Sequence, residues 1–259
     1  MVAVVHRALP LGLTCHRIAN SLYCMANDVP FDYSGTELAA LSAAVNYYEW
    51  ILSRFERYLG NSIAEVGAGI GNFSKLLLRT SPQQLFAFEP STNLYPQLAE
   101  GVGRDQCIVP INDYFAPRYV PEGVDSIIYI NVLEHIEHDL NELKKAYEAL
   151  RPGGHLIVFS PALSWLYSDF DKQVGHHRRY TKRGIADLAK EAGYRVVVAE
   201  YFDIAGIVPW YLSFVLLKGQ PSVQNVALYD RLIVPPMRLA EGVLRPPLGK
   251  NVLLVATKV

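Results

Sequence analysis

Charge is scarce in this sequence of 259 residues: 19% of it is Asp, Glu, Lys or Arg, while 51% is hydrophobic. That balance excludes a disordered chain and leaves enough apolar side chains for a large core. Neither sign dominates. Lys plus Arg is 24 and Asp plus Glu is 25, a net charge of −1. The chain therefore lacks the broad positive field that grips nucleic acid, and no nucleic-acid partner is expected. Cysteine is sparse as well. Cys15, Cys24 and Cys107 are odd in number and form no C-x-x-C. A disulfide framework is excluded, and reduced thiols in a cytoplasmic protein are the expected setting. No apolar run is long enough to cross a bilayer. The longest, about 204–217, is interrupted by Pro209. The N-terminal stretch has the apolar tone of a secretory signal, but His6, Arg7 and Pro10 break it. It reads as an arm or lid instead. Internal repeats and low-complexity tracts are missing too.

What is present is an alternation of strands and helices. Residues 34–60 carry a helical stripe of Leu38, Leu41, Val45, Tyr48, Leu52, Phe55 and Leu59, with Ser34 and Glu37 at capping-box spacing. From residue 62 short apolar strands are expected at 62–69, 84–90, 106–113, 124–133, 155–161, 194–202 and 250–259. Helices are expected at 71–79, from Asp139 to Leu150, and at 181–192, with Thr181 as N-cap and a turn at 151–154. Residues 162–180 read as a loop. Such a chain is α/β, with a mostly parallel sheet covered on both faces. The last two strands flank an apolar, proline-broken insertion at about 204–247, so they should form an antiparallel pair with a long excursion between them. The expected organisation is one domain: residues 1–60 as an N-terminal arm and helical lid, then a core at 61–259 whose insertion covers the site.

The strongest signal is Glu65-Val66-Gly67-Ala68-Gly69-Ile70-Gly71 between a strand and a helix. Glycines there let the backbone turn tightly and let a ligand approach without a Cβ in the way. Glu89 closes the second strand, where a carboxylate can accept the hydroxyls of a ribose. The dinucleotide fingerprint would need its third glycine at position 72, which is Asn, and a P-loop would need a lysine. The loop instead resembles the cofactor loop of class I S-adenosylmethionine-dependent methyltransferases. Other segments extend the resemblance: Phe88-Glu89-Pro90-Ser91, Ile111-Asn112-Asp113-Tyr114, Asn131-Val132-Leu133-Glu134-His135, and Leu150-Arg151-Pro152-Gly153-Gly154 before a strand. It implies a Rossmann-like seven-stranded sheet with an antiparallel last strand, S-adenosyl-L-methionine as cofactor, and methyl transfer to a small-molecule acceptor. The implied cofactor residues are Glu65, Gly67, Ala68, Gly69, Gly71, Glu89, Pro90, Asn112, Asp113, Tyr114, Asn131, Val132 and Leu133.

The acceptor should lie at the carboxyl ends of the strands. Gly175-His176-His177-Arg178-Arg179-Tyr180-Thr181 is the most unusual stretch near that edge, and it resembles a G-H-x-R-R-Y-T segment of some bacterial members of the superfamily. The expected catalytic residues are His176 and His135, because imidazole titrates near neutrality and suits a phenol or alcohol acceptor. Oxygen is the first expectation for the accepting atom, then nitrogen or carbon. His177, Arg179, Tyr180, Tyr33, Trp165, Tyr167 and Trp210 are the expected acceptor contacts. The bland alternative pairs Arg178 and Arg179 with carboxylates such as Asp169 and Asp171. Some relatives hold a divalent ion through E-x-x-E-H. Here Asn131 replaces the first acid, and adjacent residues at a strand end point to different sides, so no metal is expected. Three other readings stay open: an NAD-dependent oxidoreductase, a non-catalytic cofactor-binding module, and an enzyme that meets a membrane surface through 204–217.

Overall fold

A computed structural model describes residues 14–18, 21–25, 32, 33, 35 and 42–259. The chain divides into two compact units, Met1–Phe31 and Asp32–Val259. Within the first unit β1 (Thr14–Ile18) pairs antiparallel with β2 (Ser21–Met25), an element not expected from the sequence.

The second unit opens on α1 (Val45–Phe55). Ser34, Glu37, Leu38 and Leu41, the first half of the helix expected over 34–60, lie outside the described residues. The helical stripe is real from Val45 onward. Its Trp50, Ile51, Leu52 and Phe55 are buried. They join the sheet core rather than standing apart from it.

Seven strands follow where alternation placed them: β3 (Ser62–Val66), β4 (Gln84–Phe88), β5 (Ile108–Ile111), β6 (Val124–Ile130), β7 (Leu150–Pro161), β8 (Tyr194–Phe202) and β9 (Asn251–Lys258). Their order across the sheet is β5-β4-β3-β6-β7-β9-β8. All neighbours are parallel except β9, which runs antiparallel to both β7 and β8. Ile63, Ile128, Ile157, Phe159, Leu253 and Val255 turn one face toward α1, α2 (Asn72–Leu77) and α3 (Tyr95–Val102). On the other face Tyr129 donates a hydrogen bond to Glu142 of α4 (Asp139–Ala149). The inner strands β3, β6 and β9 are buried along most of their length, as a sheet covered on both sides requires, while the edge strand β8 is buried mainly at its end.

Three local differences have physical causes. Arg151-Pro152-Gly153-Gly154 does not end an element. Leu150 pairs with Val124 and His155 with Ser126, so these residues loop out opposite Asp125 within one strand, with Gly153 at φ 77°. The helix α3 was not expected, because it is short and Gly101 weakens its local preference, while Pro96 is harmless in its first turn; burial of Leu98 and Val102 on one side decides it. Residues 162–180 are not an open loop. They contain the turn Ser164–Leu166 and the short helix α5 (Asp169–Gln173). Beyond them α6 (Lys182–Glu191) starts where expected, with the Thr181 hydroxyl accepting from the Gly184 N–H.

The 204–247 insertion leaves the sheet after Phe202 and returns at Asn251, residues that face each other across β8 and β9. It holds α7 (Ile207–Trp210) running into a π-helical stretch Tyr211–Leu216, then α8 (Val223–Leu232) and α9 (Val234–Val243). Two buried acids anchor it. Asp230 accepts from the Asn46 and Tyr47 N–H groups at 3.1 and 2.8 Å, satisfying donors at the start of α1. Glu241 accepts from the Asp203 and Ile204 N–H groups at 3.1 and 2.8 Å.

Candidate functional site

The carboxyl ends of β3, β4, β5, β6, β7 and β8 lie along one edge, and that edge is where the backbone is least ordinary. Asn131 after β6, Leu163 after β7 and Asp203 after β8 all have positive φ, at 54°, 63° and 63°. Non-glycine residues seldom adopt that region, and its concentration at one edge marks a site whose loops are held by their surroundings.

The glycine loop leaves β3 with Gly67, Gly69 and Gly71 at φ 72°, 58° and 84°. A Cβ on Gly67 would lie 2.5 Å from Val132 Cγ2. The loops after β3 and β6 therefore approach as only glycine permits. The loop is closed by the Ala68 N–H donating to the Phe88 carbonyl at 2.8 Å and the Gly71 N–H to the Ala68 carbonyl at 2.9 Å.

Glu89 is buried at the end of β4 and aimed at that loop. Its Oε2 accepts from the Gly69 N–H at 2.8 Å, and its Oε1 accepts from the Ser91 N–H at 2.9 Å and from the Ser91 hydroxyl. Burial raises its pKa against these opposing hydrogen bonds. A carboxylate oxygen accepts two bonds, so Oε2 keeps one lone pair for a ligand hydroxyl. Glu65 lies beneath the loop, and Ser74 of α2 donates to it. Burial pushes its pKa up to about 8. Asn112 donates to the Glu89 carbonyl at 2.9 Å, which ties the ends of β4 and β5 together. Asp113 pairs with Arg118 at 2.8 Å and accepts from Tyr119. Tyr114 beside it is half exposed. These residues fit a neutral ribose with a cationic tail: backbone approach, a buried carboxylate on the hydroxyl side, and no lysine at the loop.

A second cluster stands on the same edge after β6. Leu133–His135 is a 3₁₀ turn, so Glu134 and His135 do not alternate as strand residues would. The expectation that they point apart is corrected on that ground. Glu134, His135 and His176 offer ligand atoms all within 4.8 Å of one another, the donor types of a divalent-cation site. Glu134 Oε2 accepts from Ser160 at 2.9 Å, while Oε1 is buried without a hydrogen-bond partner. Burial raises the Glu134 pKa. Burial, with His176 beside it, lowers that of His135 to about 3.

His176 is the best-held side chain of the cluster. Its N–H donates to the Asp171 carbonyl at 2.8 Å, and its own carbonyl accepts from the Tyr167 hydroxyl at 2.6 Å. Its Nδ1 meets Asp171 Oδ1 at 2.8 Å, leaving Nε2 3.9 Å from Glu134 Oε1. The His135 ring stands edge-on to it at 4.5 Å, and Tyr33 stands edge-on to His135 at 6.0 Å. Behind His176, Asp171 also accepts from Arg179 Nε at 2.9 Å and Nη2 at 3.1 Å. Burial would raise the Asp171 pKa, but His176, Arg179 and Ser168 outweigh it and bring it down to about 2.

Other expected acceptor residues divide by depth. Arg179 is buried, its three nitrogens on Asp171 and the Ala162 carbonyl, with Trp210 4.6 Å over its guanidinium. Direct contact with an acceptor is thus corrected to a role in holding Asp171. Tyr180 is likewise buried, donating to Asp139 at 2.9 Å. Arg178 pairs with Asp139 at 2.6 Å, not with Asp169 or Asp171. Trp210 donates to the Leu166 carbonyl at 3.1 Å. Trp165 is half exposed against Tyr211, and His177 is exposed. Asp171 was missed as a functional residue. Its signal was the Ser168-x-x-Asp171 capping box before Gly-His, which α5 forms.

Residues 44–199, more than half of the chain, match the family model described as a methyltransferase domain. The chain belongs to this methyltransferase family. Its cofactor is S-adenosyl-L-methionine, and the glycine loop and Glu89 could hold it. Among curated proteins an uncharacterised methyltransferase of Geobacillus sp. (strain WCH70) is 26% identical over 147 residues, 56% of this chain and 67% of that one. An S-adenosylmethionine-dependent methyltransferase from Mesorhizobium loti superposes with TM-score 0.53 at 15% identity, covering 81% of this chain and 97% of that one. A Haemonchus contortus phosphoethanolamine N-methyltransferase, solved with phosphomonomethylethanolamine and S-adenosylhomocysteine, gives TM-score 0.58 at 13% identity, covering 92% and 62%. At such identities the structural likeness shows the shared fold.

The high pKa of Glu65 has a consequence for stability. The folded chain keeps a proton that the unfolded chain releases above its ordinary value of 4.5. Stability attributable to this group should therefore fall as pH rises from there toward about 8, by at most about 1.4 kcal/mol per pH unit. Glu65→Gln keeps the neutral form and should flatten that fall in urea melts across the range. An unchanged pH profile would show that Glu65 is ionised throughout.

Proposed function

We propose that this methyltransferase acts on a hydroxyl oxygen of a small organic acceptor, with His176 as the general base. The observation that supports it is the hold on His176: Nδ1 sits on the buried Asp171 at 2.8 Å, and Nε2 lies 3.9 Å from Glu134 Oε1 in the turn after β6. S-adenosylmethionine supplies an activated methyl on a sulfonium. The chain's own part is to align the acceptor and take its proton. A proton arriving at Nε2 makes an imidazolium beside the Asp171 carboxylate, which stabilises it. His135 is a poorer candidate, since burial disfavours its charged form. Tyr33 and Trp165 are the aromatic surfaces that suit a flat acceptor.

Calorimetry with S-adenosylmethionine, S-adenosylhomocysteine and NAD tests the cofactor half of this reading. The first two should bind and NAD should not; NAD binding alone would overturn it. In the same assay Glu89→Ala should weaken cofactor binding by about 1–3 kcal/mol, from lost charge-assisted hydrogen bonds. Unchanged affinity would remove Glu89 from the ribose. For the acceptor half, phenols, amines and carboxylates are screened for turnover. Turnover of amines alone would replace oxygen by nitrogen.

A further inference from the structure

Glu134 is 0% exposed, and its Oε1 has no hydrogen-bond partner although Oε2 accepts from Ser160 at 2.9 Å. Buried polar atoms are nearly always paired, so an open one needs a reason. The nearest donor atom is no answer: His176 Nε2 stands 3.9 Å away, too far for a hydrogen bond. With one ring nitrogen of His135 these atoms form a set lying within 4.8 Å of one another, and among the described residues no other His, Cys, Asp or Glu triple converges so closely. The two segments that supply the set are tied together, since the His177 N–H donates to the Glu134 carbonyl at 2.8 Å. The groups behind it are those that metal ligands have. A ligating imidazole gives its other nitrogen to a carboxylate, and a ligating carboxylate is itself hydrogen-bonded. Asp171 does the first for His176 at 2.8 Å, and Ser160 the second for Glu134. Charge agrees as well. Arg179 is turned onto Asp171 and offsets it, which leaves the Glu134 carboxylate to a cation. Two imidazoles and a carboxylate suit zinc and its neighbours better than magnesium or calcium. Ligand atoms of a tetrahedral zinc site, bonded at about 2.0–2.2 Å, stand roughly 3.4 Å apart. The 3.9 Å gap therefore needs a small tilt, and no pair in the set must close by more than about 1.4 Å. The set is not E-x-x-E-H: residue 131 is Asn, and the third donor comes from a separate segment.

We propose that Glu134, His135 and His176 bind a divalent transition cation of the zinc class, with a further coordination position left open. The site goes beyond the reading above but draws on the same Nε2. A bound ion holds the lone pair that would take the acceptor's proton, so base catalysis belongs to the metal-free chain. Binding is measured with no acceptor present, so its outcome is separate from that of the general base. Full-length protein is treated with a chelator, freed of it, and titrated with cobalt(II), then with zinc(II) in competition. Cobalt(II) should bind at a single equivalent and give visible d–d bands. Zinc(II) should displace it and raise the melting temperature. Glu134→Gln keeps the Ser160 contact, and His135→Ala removes one ring; each should weaken zinc binding about tenfold or more. Ser160→Ala removes a support and no ligand, and should weaken it about tenfold. His177→Ala, exposed and outside the set, should leave it unchanged. If Glu134→Gln or His135→Ala fails to fold, His176→Ala carries the test, because its backbone bonds survive the substitution. No binding of either metal by the wild-type chain overturns the proposal. So does binding that the ligand variants leave intact, or that His177→Ala abolishes.

Discussion

Asp171→Ala should destabilise the chain by about 3–5 kcal/mol, the range found when one partner of a buried ion pair is removed. Asp171 and Arg179 have side chains 0% and 1% exposed. The carboxylate compensates the guanidinium, accepts the Ser168 N–H at 2.8 Å that opens α5, and takes His176 Nδ1. Alanine leaves the Arg179 charge in a low dielectric, hydrogen-bonded to the Ala162 carbonyl with the Trp210 ring over it and Glu134 as the remaining acid near it. The cost comes from the stranded charge and not from the lost pair. It follows that removing both charges should cost less: Asp171→Leu with Arg179→Met should be more stable than Asp171→Ala. Urea midpoints of the three chains measure this. A loss below about 1 kcal/mol in Asp171→Ala would place the pair in contact with water. The acid limb carries a second sign. A carboxyl held at about 2, below its ordinary 3.8, contributes stability that is complete above the unfolded value and is lost as pH falls toward the folded one. Asp171→Ala should therefore lose part of the wild-type dependence in that acid window.

Periodicity reached far into this fold because parallel strands buried on both faces leave a plain mark. The runs at 62–66, 84–88, 124–130 and 251–258 have few ways to be anything else. The glycine loop was legible for a similar reason. Its residues are adjacent in sequence, and the conformations at Gly67, Gly69 and Gly71 need glycine. The cluster around His176 was only half legible. Gly175-His176 stood out, but the partners come from other segments: Glu134 from the turn after β6, Ser160 from β7 and Asp171 from a helix too short to announce itself. The positions of Asp171 and Arg179 relative to His176 are set by how 162–180 folds back on the sheet, through the Tyr180 N–H on the Pro161 carbonyl and the Leu163 N–H on the Tyr180 carbonyl. Spacing along the chain carries none of that. Nor did the sequence show that Arg179 is fully buried, since arginines beside acids read equally well as a solvated pair.

His176→Ala should lower turnover about 10²–10⁴-fold while leaving cofactor affinity unchanged, the range that a positioned acid or base contributes. The two halves of that expectation separate a catalytic role from a structural one. The backbone of residue 176 is held by its N–H on Asp171 and its carbonyl under Tyr167, bonds that alanine keeps. The substitution removes only the ring, and the Asp171–Arg179 pair survives it. A fold defect would instead move the cofactor affinity and the urea midpoint together with turnover. The pH profile gives an independent readout. With a base in play, kcat/KM for a phenolic acceptor should rise with pH through one ionisation in the wild type. In His176→Ala that limb should vanish or move to the acceptor's own pKa. Added imidazole, small enough to enter the space left by the ring, should restore part of the rate. Normal turnover in the variant, or a fall that keeps the wild-type pH profile, would leave His176 as a loop anchor and make alignment of the acceptor the main source of rate. Glu134 marks the difference as well. Its Oε1 stands 3.9 Å from Nε2 with no hydrogen-bond partner, so Glu134→Gln changes the charge facing the base while keeping the Ser160 contact. If Nε2 handles the acceptor proton, that change should shift the pH limb; if it does not, only binding should respond.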